Sequence, residues 1–75
     1  MEKIKVDNKI FGCHIYPRAN AVYAEIYYTG INDNIEIYLL SEEFGGAWRG
    51  PIENDYVKAR KWAENQLKYI ADANQ

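Results

Sequence analysis

A single cysteine, Cys13, in 75 residues leaves no room for an intramolecular disulfide framework or an all-cysteine metal site. There is one histidine, His14, and one histidine beside one cysteine falls short of the ligand set a structural zinc needs. Two prolines and five glycines are too few for a low-complexity or disordered chain. No apolar run approaches the roughly 18 residues of a membrane helix. The first residues, Met1-Glu2-Lys3-Ile4-Lys5-Val6-Asp7, alternate charged and apolar side chains, unlike the unbroken apolar core of a signal peptide. A basic excess is missing too: nine Lys and Arg stand against eleven Asp and Glu, a net charge of −2. Nothing in that balance supports a phosphate-binding surface. The free thiol and the N-terminal pattern are those expected in a reducing cytoplasm.

What the chain does have is apolar and aromatic material. Hydrophobic residues make up 48% and aromatic residues 15%, with seven tyrosines, two tryptophans and two phenylalanines. A domain this short gains only about 3–5 kcal/mol from its core. With no disulfide or zinc to staple it, stability must come from a dense aromatic core or from self-association. The expected organisation is one domain, residues 1–75.

The first two thirds of the chain read as strands. Ile4 and Val6 alternate with lysines before a turn at Asp7-Asn8. Lys9 to Tyr16 is a second extended segment, and Pro17-Arg18-Ala19-Asn20 has the composition of a β-turn. Ala21 to Thr29, rich in tyrosine and β-branched residues, is the strongest strand signal. A turn over Gly30 to Asn34 leads to a last strand, Ile35 to Leu40, and connections this short predict an antiparallel meander. Ser41 to Gly50, with three glycines, reads as a loop. Asn54 is a candidate N-cap, followed by apolar residues at Tyr56, Ala59, Ala63, Leu67 and Ile70, with Trp62 and Tyr69 on one flank. That is one amphipathic helix of about five turns. The expected fold is α+β: a three-stranded antiparallel meander, with or without a short extra strand at the front, packed by one C-terminal helix.

Alternation then divides the sheet into two faces. Val22, Ala24 and Ile26 share one side with Ile35, Ile37 and Leu39, and the helix is expected to cover these. The other side carries Tyr23, Tyr27 and Tyr38 around Glu25 and Glu36. An unpaired buried carboxylate is costly, so this second side faces outward. Three tyrosines there either brace the strands as cross-strand pairs or form a contact surface, since tyrosine is enriched at interfaces.

Trp48 and Arg49, flanked by glycines, are a second candidate contact. Trp48 is equally suited to fold under the loop as a lid, and a small core favours that role. Adjacent positions on a strand send Cys13 and His14 to opposite faces, so they cannot act as a nucleophile–base pair. His14 shares its side with Ile10, Gly12 and Tyr16, whereas Cys13 reads as a buried, inert thiol. Gly45-Gly46 lacks the third glycine and the β-α-β context of a dinucleotide loop, and Glu42-Glu43 is most simply a solvated pair. The basic helix positions Lys58, Arg60, Lys61 and Lys68 read as an ordinary soluble face. No catalytic residue, cofactor, metal ligand or small-molecule substrate emerges, and a non-enzyme is expected.

Three strands followed by Gly50-Pro51-Ile52, Lys58-Ala59, Trp62-Ala63 and Leu67 is a pattern similar to the arm-type DNA-binding domains of phage integrases. The resemblance covers the order of elements and part of the helix. It implies a βββα fold and, in that family, a sheet face that enters DNA. Here Glu25 and Glu36 stand on the corresponding face and would repel phosphates. An acidic, aromatic sheet face on a domain of this size also resembles small phage or mobile-element proteins that inhibit a host protein. The expectation is therefore a protein-binding module, or a self-associating one, whose contact residues are Tyr23, Glu25, Tyr27, Glu36 and Tyr38 with Trp48 and Arg49. The alternative is nucleic-acid binding of the integrase-arm type through the lysines.

Overall fold

A computed structural model describes residues 3–46 and 50–73. Four antiparallel strands lie in sequence order, β1 (Ile4–Val6), β2 (Lys9–Arg18), β3 (Ala21–Gly30) and β4 (Ile37–Gly45), followed by one helix, α1 (Glu53–Ala73). Trp48 and Arg49 lie outside the described residues.

Both hairpins at the front turn in two residues. Val6 pairs with Lys9 around Asp7-Asn8, and Arg18 pairs with Ala21 around Ala19-Asn20. In each turn the first residue is left-handed, Asp7 at φ 54° and Ala19 at φ 54°. Such a turn matches the natural twist of the strands it joins. Pro17 and Arg18 are therefore strand residues, and the predicted four-residue turn contracts to its last two. Proline is tolerated at an open edge, and β1 supplies one by covering only Lys9 to Phe11 of β2.

The fourth strand departs most from the sequence reading. It starts at Ile37 and runs through Ser41, Glu42 and Glu43 to Gly45, where a loop was predicted. As an edge strand with little over it, it accepts those polar residues. Between Ile26 and Tyr27 the β3–β4 register shifts: Ile26 faces Leu40, yet Tyr27 faces Tyr38. Leu39 is thus the extra residue of a bulge, which breaks the two-residue period. The expected row of Ile35, Ile37 and Leu39 beneath the helix does not form; these side chains are 70%, 46% and 46% exposed. Phe44 is the β4 residue that packs into the core.

The helix buries Asp55, Ala59, Ala63 and Leu67, one per turn. Ala59 and Ala63 are fully buried, and their small size lets the helix axis come close to the sheet. One core cluster joins Ala63 and Leu67 to Phe11 and Ile26, with Ile4, Val6, Cys13 and Ile15 around it. The other joins Ala59 to Val22 and Ala24. Trp62 meets Phe44 edge-on with ring centres 6.1 Å apart. Tyr69, expected to widen the apolar stripe, is 73% exposed and lies off it.

The helix starts at Glu53, one residue before its predicted cap at Asn54. Asp55 performs that task from the third helical position: its Oδ2 accepts the Ile52 N–H at 3.1 Å, while its own N–H bonds the Ile52 carbonyl at 3.0 Å. This is the side-chain half of a capping box. A Cβ on Gly45 would run into the Asp55 carboxylate, and Gly45 itself sits at φ 82°. Glycine there is required twice, by conformation and by contact. With one helix on one side, the sheet's other face has no element over it among the described residues.

Candidate functional site

The open face is built by β2, β3 and the start of β4, in register. Pairing sets His14 beside Glu25, Tyr16 beside Tyr23 and Gly12 beside Tyr27. On the other side of β3, Tyr27 meets Tyr38, Glu25 meets Ser41, and Tyr23 meets Glu43. The predicted residues Tyr23, Glu25, Tyr27, Glu36 and Tyr38 all stand on this side. His14, Tyr16, Arg18 and Glu43 join them.

At its centre is a tight cluster. The His14 ring lies flat on Tyr27, with centroids 4.5 Å apart and planes 9° from parallel. Tyr38 closes on Tyr27 from the other strand at 6.2 Å. Glu36 bridges the two outer rings: His14 Nε2 lies 3.1 and 3.0 Å from its oxygens, and the Tyr38 hydroxyl donates to Oε1 at 2.8 Å. A ring nitrogen facing only carboxylate oxygens must carry a proton there, so Nε2–H is the donor. Beneath this bridge Tyr27 is only 5% exposed. Its ring also occupies the space above Gly12, where an added Cβ would sit 2.8 Å from the Tyr27 hydroxyl oxygen. A glycine on one strand covered by an aromatic ring from the next is a recurrent way to pack a sheet face. Tyr27 therefore supports the face, and His14 and Tyr38 present it.

A second cluster lies toward the β2–β3 turn. Tyr16 stacks on Tyr23 at 6.1 Å, and the Arg18 guanidinium sits 5.5 Å from the Tyr23 ring centre. The Tyr23 hydroxyl donates to Glu43 Oε2 at 2.9 Å. Both hydroxyls are thus held by carboxylates. The bond to Glu36 pushes the Tyr38 phenol up to about 12. Tyr23 is raised as well, chiefly by its bond to Glu43. In return the Tyr38 hydroxyl, then His14, holds the Glu36 carboxyl below its ordinary value.

On the helix side, burial raises the Cys13 thiol, which packs at the margin of the core. The basic residues Lys58, Arg60, Lys61 and Lys68 are exposed along the helix, remote from the tyrosine face. Among the described residues no group of three or more His, Cys, Asp or Glu side chains is arranged to hold a metal ion. No helix is long and apolar enough to cross a membrane, again among the described residues.

His14 and Tyr16 were absent from the predicted contact set, although their signal was present. Both lie on the outward alternation of β2, and the short connection to β3 brings that alternation alongside Tyr23 and Glu25. Comparison with known proteins finds no family model, no curated protein and no solved structure that matches this chain.

Proposed function

We propose that this chain is a small protein-binding module that acts by occlusion, docking its open sheet face onto a partner protein. The observation that carries this reading is the fixed arrangement of His14, Tyr38 and Tyr23. Tyr38 is exposed, His14 and Tyr23 are half-buried, and Glu36 and Glu43 hold the two tyrosine hydroxyls. Aromatic side chains locked before contact lose little freedom on binding, which is what makes tyrosine effective at interfaces. Glu25, Glu36 and Glu43 then set orientation and favour a partner surface of positive charge. The same carboxylates disfavour a phosphate backbone.

The test uses tagged chain to capture partners from nuclease-treated lysate, followed by calorimetry with the purified partner. Tyr38→Ala should weaken affinity by at least about tenfold, the range of an interface anchor. Lys61→Ala, on the outer helix, should leave affinity unchanged. Loss on the lysine change with none on the tyrosine change would reject the face as the contact. So would binding that needs nucleic acid and falls steeply with salt.

A further inference from the structure

We propose that β4 is a docking edge for a second copy of this chain, the two β4 strands pairing antiparallel about a two-fold axis to form one continuous eight-stranded sheet. This does not rest on the reading above: it uses the rim of the sheet, which shares only Tyr38 with the tyrosine face.

The two rims differ. On one, β1 has three residues, and beyond it the exposed side of β2 carries Pro17, which cannot donate a backbone bond. Short strands and prolines are the usual means of blunting an edge. The other rim, β4, has nine residues, and no further strand pairs with it among the described residues. It is also unusually apolar. Ile35, Ile37, Tyr38, Leu39 and Leu40 are 70%, 46%, 54%, 46% and 40% exposed. With about 200 Å² for a large side chain, this strand and the Ile35 that precedes it offer at most about 500 Å² per copy, or about 1,000 Å² for a pair, the lower bound for a specific interface.

Charge and register select a second copy as the occupant. The apolar run fills the first half of β4, and Glu42 and Glu43 fill the second. An axis between Tyr38 and Leu39 sets Ile37 against the partner's Leu40 and keeps every carboxylate clear of another. Ile37 and Leu40 both face the helix side, pairing with Tyr28 and Ile26 of β3, so the match preserves the faces. The same register sets Glu42 against Ile35 and Glu36 against Ser41, whereas sliding the axis toward Glu42 by half a residue sets Glu36 against Glu42, and by a full residue sets Glu36 against Glu43. A perpendicular two-fold axis leaves both helices on one side and merges the two tyrosine faces on the other. Because the bulge at Leu39 limits the paired length, the dimer is weak, with a dissociation constant on the order of micromolar or above.

Sedimentation equilibrium of the full chain over a concentration series tests this. The expected result is a reversible rise toward twice the monomer mass. It should be abolished in Leu39→Lys, whose side chain belongs to neither core cluster and whose fold circular dichroism would verify. In a Cys13→Ser background, chains carrying Ile37→Cys and Leu40→Cys should form a mixed disulfide when combined. Glu43→Cys chains should not crosslink to themselves, because this register holds those positions about 30 Å apart. A monomer at every concentration overturns the proposal. So does a dimer that survives Leu39→Lys, or crosslinking through Glu43→Cys instead of the Ile37–Leu40 pair.

Discussion

The Glu36 carboxylate organises the centre of the open face, because one side chain satisfies both a histidine N–H and a tyrosine hydroxyl. Its effect can be read on Tyr38 directly. An ordinary phenol ionises near 10.0, whereas Tyr38 is pushed up to about 12 because ionisation would break its bond and set two negative charges together. Glu36→Gln removes that repulsion. Ultraviolet titration of the phenolate signal, comparing the wild type with Glu36→Gln and with Tyr38→Phe, should show the latest component, near 12, only in the wild type, while the raised Tyr23 persists in all three. If the latest component survives Glu36→Gln, the bond does not set it. The signs fix the pH window of this contact. Tyr38 is raised, so its contribution is full below about 10 and is lost as pH climbs toward 12. Glu36 is lowered, so its contribution is full above the ordinary carboxyl value of 4.5 and is lost as pH falls through its folded value.

Among the elements, the helix was the most legible in sequence and β4 the least. Ala59, Ala63 and Leu67 recur at helical spacing and are buried as that spacing requires, since a long helix on a sheet leaves few alternatives. β3 was equally plain, because Val22, Ala24 and Ile26 alternate without interruption. β4 failed for a local reason. One extra residue at Leu39 exchanges the two faces midway, and no side-chain pattern within Ile35 to Leu40 announces it. The continuation through Glu42 and Glu43 was hidden as well, since polar residues and glycines signal a loop unless an exposed edge strand needs them. The helix start was missed because its cap reaches backward: Asp55 accepts from Ile52 instead of Asn54 accepting from downstream. That contact ties two elements together, as Asp55 is 1% exposed and lies against Gly45 at the end of β4. Asp55→Ala should therefore cost about 1–2 kcal/mol, the upper part of the capping range, read as a lower urea midpoint with an unchanged slope. A loss near zero would mean that the helix start is held by other contacts.

At the scale of the whole molecule, one helix covers one face of a sheet, and this shape leaves little core. The Cα radius of gyration, 13.3 Å, exceeds the roughly 11 Å expected of a compact domain of this length. The smallest principal extent is only 16 Å, against 42 Å for the longest. A thin, long sheet with limited burial gains stability from whatever binds its folded form, and by mass action that gain grows with the concentration of the binder. If β4 pairs with a second copy, the chain is its own stabilising ligand. Its melting temperature should then rise with protein concentration. At a concentration about one hundred times the dissociation constant, the gain would be on the order of 2–3 kcal/mol, and each kcal/mol moves the melting temperature of so small a domain by about 4–8 °C. Leu39→Lys should flatten that dependence while leaving the dilute-limit melting temperature near the wild-type value, because Leu39 is 46% exposed in the single chain. A wild-type melting temperature independent of concentration would mean that the single chain stands on its own core. A slope unchanged by Leu39→Lys would place the association on another surface.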